Sequence, residues 1–299
     1  MTDSPRSLDP RVLNKIARLE LRARDIVEGF VSGMHRSPYH GFSVEFATHR
    51  EYVPGDDLRH LDWKVFGRSD RLYLKQYELE TNLRSWIVLD TSESMGYRSG
   101  EQSKAQYAAI LAASLAYLLV KQQDAVGLVL FDTQVRKIIP PSSNPAHFRG
   151  IVSELETVNP AQKTQTGRVF HDVAERLHKR GLLIVVSDLF DKPEEILSGF
   201  QHFRHRHYDV IVLHVMDEFE VNFPFERMTL FEGLEQLPEL LIEPKALRKA
   251  YLEEVETFTS KIQRGCLQQK IDYVRATTDQ PPEVVLSRFL AARMGTTKH

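Results

Sequence analysis

Two short apolar runs, Trp86-Ile-Val-Leu-Asp90 and Leu183-Ile-Val-Val-Ser187-Asp188, constrain the fold of this chain more than any other feature. Each has the length of a strand rather than a helix, and each ends on a carboxylate. Continuous apolar runs of this kind suit strands covered on both faces. Segments 85–90, 125–131, 135–139, 182–187 and 208–215 read as strands. Segments 103–122, 146–157, 168–180 and 193–204 read as helices. This alternation predicts an α/β fold: a mainly parallel sheet with helices on both faces. Phe131-Asp-Thr-Gln134 is a tight connection, so 125–131 and 135–139 are expected to form an antiparallel hairpin at one edge.

In open α/β sheets, ligands bind beyond the carboxyl ends of the strands. The first run delivers Asp90-Thr-Ser92-Glu-Ser94-Met95 to that position. One carboxylate and two hydroxyls are three hard oxygen donors carrying a single negative charge. That set suits a divalent cation that keeps its waters and leaves a position open, Mg²⁺ (or Mn²⁺). The second run adds Ser187-Asp188, and between them Lys163-Thr164-Gln-Thr166-Gly167 precedes a helix. The metal roles follow: Asp90 as the charged ligand, Ser92 and Ser94 as neutral ligands, Thr166 as a hydroxyl from a third loop, and Asp188 holding a metal-bound water. Thr164 competes with Thr166 for its role. The plainer alternative is that Ser92 and Ser94 only cap the turn that follows. The second strand ending in Ser-Asp, together with the threonine pair, favours the metal.

The rest of the chain carries weaker signals. Leu13, Ile16, Leu19, Ala23, Ile26, Val27 and Phe30 lie at helical spacing within 10–31. Arg11, Lys15, Arg18, Arg22 and Arg24 allow a membrane-surface adaptor; Glu20, Asp25 and Glu28 among them favour a solvated face. Residues 32–80 are irregular, with strand patterns at Val44-Glu-Phe46 and 71–77, and read as a small β-rich segment. After residue 216 come weak strands at 228–232 and 239–243, a charged helix at 245–264, a strand at 271–276, and a helix at 282–294 entered through Pro281-Pro282. The expected division is 1–80, N-terminal helix and β-rich segment, and 81–299, the α/β domain with a C-terminal extension.

Several functions are excluded or disfavoured. A net charge of −2 gives no electrostatic case for nucleic acid. A single cysteine, Cys266, rules out a cysteine-based zinc site within the chain. The longest apolar run, Tyr107 to Val120, is shorter than the roughly 18 residues of a membrane span. No integral membrane segment is expected, and the chain is placed in the cytoplasm. Gly100 is followed by Glu101 rather than Lys-Ser, so the glycines near it do not make a phosphate loop. No Gly-x-Ser-x-Gly elbow is present, and no nucleophile–base pair can be named. His202, His205 and His207 have the wrong spacing for one helical face, which disfavours zinc. Pro54-Gly-Asp56-Asp57-Leu-Arg59-His60-Leu-Asp62-Trp63 reads as a turn whose side chains satisfy one another, with partner docking as the alternative.

Asp90-Thr-Ser92-Glu-Ser94-Met95, Gly100, Lys104, Asp124-Ala-Val-Gly127-Leu-Val-Leu-Phe131 and Ser187-Asp188 together resemble a von Willebrand factor A-type domain, whose site is called the metal-ion-dependent adhesion site. The preceding Glu45-Phe46, Arg50-Glu-Tyr52, Pro54-Gly-Asp-Asp57-Leu-Arg59, Leu61-Asp62-Trp63, Lys75 and Glu78-Leu-Glu80 resemble the bacterial domain-of-unknown-function family fifty-eight. The resemblance runs from about residue 15 to 294. It implies an α/β, von Willebrand factor A-type (Rossmann-like) fold and a MoxR-type AAA+ ATPase partner. The second loop departs from the Gly-Gly-Thr-Asp/Pro of many relatives, and the N-terminal membrane helices of many relatives are not seen. The function expected is a non-enzymatic, metal-dependent protein-binding module, an adaptor or co-chaperone gripping an acidic client protein. The alternative is a metal-dependent hydrolase acting on phosphate esters.

Overall fold

A computed structural model describes residues 18–29, 49–51, 73–75, 83–160, 166–177, 179–231 and 240–296. Its contacts divide the chain into two units, Met1–Gly33 with Leu83–His299, and Met34–Asn82. The break follows Asn82, and Met1–Gly33 groups with the larger unit instead of with the β-rich segment. Helix α1 (18–29) places Leu19, Ala23, Ile26 and Val27 in the same apolar cluster as the main sheet, so it belongs with that sheet rather than with the β-rich segment. Within the smaller unit, β1 (His49–Glu51) pairs antiparallel with β2 (Tyr73–Lys75). The second of these falls inside the strand expected at 71–77. The expected strand at 44–46 and the Pro54–Trp63 block lie outside the described residues.

The larger unit is built on a six-stranded sheet. Its strands are β3 (Arg84–Asp90), β4 (Ala125–Phe131), β5 (Val135–Ser142), β6 (Leu182–Ser187), β7 (Asp209–Met216) and β10 (Asp272–Thr277), ordered β10-β7-β6-β3-β4-β5. All neighbours are parallel except β4 and β5, the expected edge hairpin. The expected α/β architecture, a mainly parallel sheet with helices on both faces, is present. β3 and β6 read as apolar runs because both of their faces are covered. One face packs α1, α2 (Lys104–Lys121), α3 (Pro145–Glu156) and α8 (Pro282–Thr296). The other packs α4 (Thr166–Arg176), α5 (Pro193–His205) and α7 (Pro244–Gln268). β8 (Thr229–Phe231) and β9 (Leu240–Ile242) form a separate antiparallel pair. A short α6 (Glu218–Asn222), not among the helices expected above, follows β7.

α2 is the apolar stretch noted above. It is buried around nearly its whole circumference, which is why it lacks an amphipathic pattern. It starts in a capping box: the Ser103 hydroxyl takes the Gln106 N–H, and the Gln106 side chain takes the Ser103 N–H. Among the described residues no helix is long and apolar enough to cross a membrane. The order of the sheet reverses at β3, where β4 lies on one side and β6 on the other. Such a reversal is where open α/β sheets bind ligands, beyond the carboxyl ends of the strands, here β3 and β6.

Candidate metal centre

Asp90 closes β3 and is fully buried. Its Oδ1 takes the Ser92 N–H at 2.9 Å and its Oδ2 takes the Ser187 hydroxyl at 2.6 Å. These two bonds lock the carboxylate across the β3–β6 junction. Each oxygen keeps capacity for a further contact. Ser92 Oγ and Ser94 Oγ lie 3.1 Å apart, both buried, on the 3-10 turn Glu93–Gly96. Ser92 sits at the N-cap position, yet its hydroxyl caps no backbone N–H. That observation removes the plain capping alternative for Ser92 and leaves its oxygen for another purpose.

Thr166 opens α4. The helix is held against α5 by glycine: a Cβ on Gly167 would lie 2.6 Å from Glu195 Cβ, and one on Gly199 would lie 2.6 Å from Phe170 Cβ. The Gly167 N–H also donates to Asp191 Oδ2 at 3.1 Å, which ties the start of α4 to the loop carrying Asp188. Thr166 is fully buried, and among the described residues its hydroxyl has no hydrogen-bond partner. A buried unpaired hydroxyl costs free energy unless something absent from the protein satisfies it. Thr164 lies outside the described residues.

Asp188 is buried but not free. Its Oδ2 receives the Lys104 ammonium at 2.8 Å, and its Oδ1 receives the Phe190 N–H at 3.3 Å. Lys104 reaches Glu220 Oε1 as well, at 2.7 Å. Sequence reasoning placed Lys104 only within the family pattern and missed Glu220. Lys104 reads as a helix-start residue, and Glu220 lies in the α6 that was not foreseen. A signal did exist: Asp217-Glu-Phe-Glu220 has capping-box spacing, and both halves of that box form.

The electrostatics follow from burial. Removal from water pushes the Asp90 carboxyl up to about 7, and the nearby Asp188 charge adds to that. Burial opposes the Asp188 charge, but Lys104 outweighs it and holds this carboxyl below the usual range. Burial also opposes the Lys104 charge, and Asp188 and Glu220 overcome it, so the ammonium is held above its usual value. Burial keeps Glu220 above the carboxylate range in spite of the ion pair. Asp188 and Glu220 thus share one ammonium, and Asp90 lies close enough to Asp188 to feel its charge.

Behind the site, His214 Nε2 lies 3.0 Å from the Asp188 carbonyl and Nδ1 lies 2.6 Å from Tyr273 Oη. Burial pushes His214 down to about 4, so the ring is neutral at pH 7. A carbonyl only accepts, so Nε2 carries the proton and Nδ1 accepts from Tyr273. Nε2 thus holds the Asp188 carbonyl, while Tyr273 fixes the ring through Nδ1. The other histidines separate. His202 faces His171, with Nδ1 atoms 3.0 Å apart across α4 and α5, while His205 and His207 do not join them.

The residues present fit a divalent cation: a locked carboxylate, a pair of hydroxyls, a buried third hydroxyl and a second carboxylate close to the first. Among the described residues no group of three or more His, Cys, Asp and Glu side chains is placed to hold a metal, so any cation here relies on hydroxyls. Thr166→Val tests the third hydroxyl. It is expected to raise the metal-free stability by about 1 kcal/mol, because it removes an unpaired buried hydroxyl at nearly constant volume. It is also expected to weaken Mg²⁺ binding. Urea denaturation and calorimetry on the same variant check both; a loss of stability would mean that the hydroxyl is satisfied within the fold.

A model of the family described as "Protein of unknown function DUF58" matches residues 48–260. An uncharacterized protein of Mycobacterium tuberculosis (strain ATCC 25618 / H37Rv) is 24% identical over 290 residues, covering 95% of this chain and 90% of its own. Among solved structures, the conserved hypothetical protein BatB from Bacteroides thetaiotaomicron is similar at 16% identity and a TM-score of 0.48, over 71% of this chain and 99% of that one. The vWF domain of the type V pili tip protein Mfa5 from Porphyromonas gingivalis matches at 11% identity and a TM-score of 0.33, over 72% of this chain and 95% of its own.

Proposed function

This chain belongs to the DUF58 family of proteins of unknown function, and from that premise we propose that it is a non-enzymatic, metal-dependent protein-binding module. The observation that carries the reading is the buried Thr166 hydroxyl, without a hydrogen-bond partner among the described residues, on a helix start tied to Asp191, together with a locked Asp90 and a hydroxyl pair. Asp90, Ser92, Ser94 and Thr166 would hold Mg²⁺ (or Mn²⁺). A cation bound there supplies an electrophilic position for a carboxylate oxygen of another protein. The remaining work is done by the chain. Ser187 and the Ser92 N–H orient Asp90. Lys104 compensates Asp188, so less net negative charge faces the cation and it stays attractive to an incoming acid. Leu189 adopts a left-handed backbone, φ 54°, and Phe190 beside it is 59% exposed. This places an apolar surface next to the charged site, the pairing that a protein partner with an acidic anchor would match.

The client is therefore a protein presenting Asp or Glu, and the assembly is an adaptor or co-chaperone complex with a MoxR-type AAA+ ATPase. The ATPase rests on the resemblance set out above. Calorimetry with Mg²⁺ and with Mn²⁺ tests the centre. Binding is expected in the wild type and loss of it in Asp90→Ala, with the ATPase retained on the wild type only when a chelator is absent. Equal metal binding by Asp90→Ala would overturn the site.

A further inference from the structure

β10 ends the six-stranded sheet, and among the described residues no strand pairs with its outer edge. The Thr278 N–H donates to the Met216 carbonyl of β7. Strand geometry alternates sides with every residue, so Ala276 and Val274 also face β7. Tyr273, Arg275 and Thr277 then present their N–H and C=O groups outward. α7 and α8 flank this edge on opposite faces of the sheet. Between them lies a cavity of about 510 Å³ lined by Glu256, Thr259 and Gln263 of α7, Tyr273 to Arg275 of β10, and Arg288 of α8. A cavity of this size is in the range that holds a ligand, roughly 300–1,000 Å³. Lining by consecutive strand residues means that the free backbone edge is one of its walls.

The charge of the walls selects the occupant. Arg275 and Arg288 are exposed and form no ion pair among the described residues; Arg288 reaches only Gln280 Oε1, at 3.4 Å. Glu256, the one acid of the lining, takes the Ser260 hydroxyl on its own helix. Native sheets usually blunt an open edge with bulges, prolines or a covering element. Here the two guanidiniums keep the edge soluble while leaving its hydrogen-bonding groups unpaired. We propose that the outer edge of β10 is a docking groove for an extended acidic segment of a partner protein, added to the sheet as a further strand. Main-chain pairing supplies the affinity, and acidic side chains meeting Arg275 and Arg288 supply the selection. The groove does not depend on the metal centre.

The test uses the whole chain with a chelator present, which keeps it separate from the metal reading. The probe is a dye-labelled octapeptide of alternating valine and glutamate, followed by fluorescence anisotropy. Three results are expected: saturable binding, about tenfold weaker or worse binding to Arg275→Glu with Arg288→Glu, and loss of binding when every peptide nitrogen is methylated. Both arginines are exposed, so the variant should melt with the wild type. An alternating valine and lysine peptide serves as the charge control. Absence of binding, equal binding of the methylated or the lysine peptide, or no response to the arginine reversal would each overturn the proposal. Self-association of the wild type abolished by the same reversal would assign the edge to a second copy and overturn it as well.

Discussion

Replacing Lys104 by methionine is expected to lower the stability of the chain by about 3–5 kcal/mol, the cost of stranding buried charge. Methionine keeps the apolar stem but leaves Asp188, whose side chain is 4% exposed, and Glu220 without their cation. Urea denaturation at neutral pH measures the loss. Lys104→Met combined with Asp188→Asn should recover part of it, because the uncompensated charge is then removed. A loss below about 1 kcal/mol, the size of an exposed ion pair, would mean that water reaches this cluster. The pH dependence has a definite sign. The Asp188 carboxyl is held below its usual range, so its contribution is present at neutral pH and lost as pH falls through its folded value. The Lys104 ammonium is held above its usual value, so its contribution persists until strongly alkaline pH. The gap between wild type and Lys104→Met should therefore narrow in acid.

Mg²⁺ affinity is expected to rise about fiftyfold between pH 5 and pH 7 and to level off above that, since the ligand must be deprotonated. The cause is Asp90, pushed up to about 7 by burial and by the Asp188 charge. Below that value the carboxyl holds a proton that the cation must displace. Calorimetry at several pH values, in buffers of different ionisation enthalpy, reads both the affinity and the proton released. The metal-free chain gives the complementary sign. A carboxyl raised above its unfolded value contributes stability that is present below the unfolded value and lost as pH rises through about 7. Added Mg²⁺ should offset that loss. A flat affinity from pH 5 to 7 would sink the assignment of Asp90 as the charged ligand.

Much of the fold was legible in the sequence because its signals are local. The runs ending at Asp90 and Ser187-Asp188 became β3 and β6, and the tight Phe131–Gln134 connection became the edge hairpin. Helix ends were less well placed. The helix expected at 168–180 spans Thr166–Arg176, and the one expected at 245–264 runs to Gln268. Such ends depend on caps and packing rather than on periodicity.

The site divides along the same line. Sequence alone determined that Asp90, Ser92, Ser94 and Asp188 stand beyond strand ends, because strand direction and chain order put them there. The hydrogen bonds from Ser187 and from the Ser92 N–H to Asp90 join these strand ends. Only the tertiary structure decided that Asp188 spends one oxygen on Lys104, that Glu220 shares the same ammonium, and that Thr166 is buried with its hydroxyl unpaired among the described residues. Lys104 and Asp188 are 84 positions apart, and Lys104 and Glu220 are 116 apart. No periodicity or spacing rule spans such distances. Whether two distant charges meet is set by how α2, β6 and α6 pack around the site, and the cost of burying them is set by the water that this packing excludes.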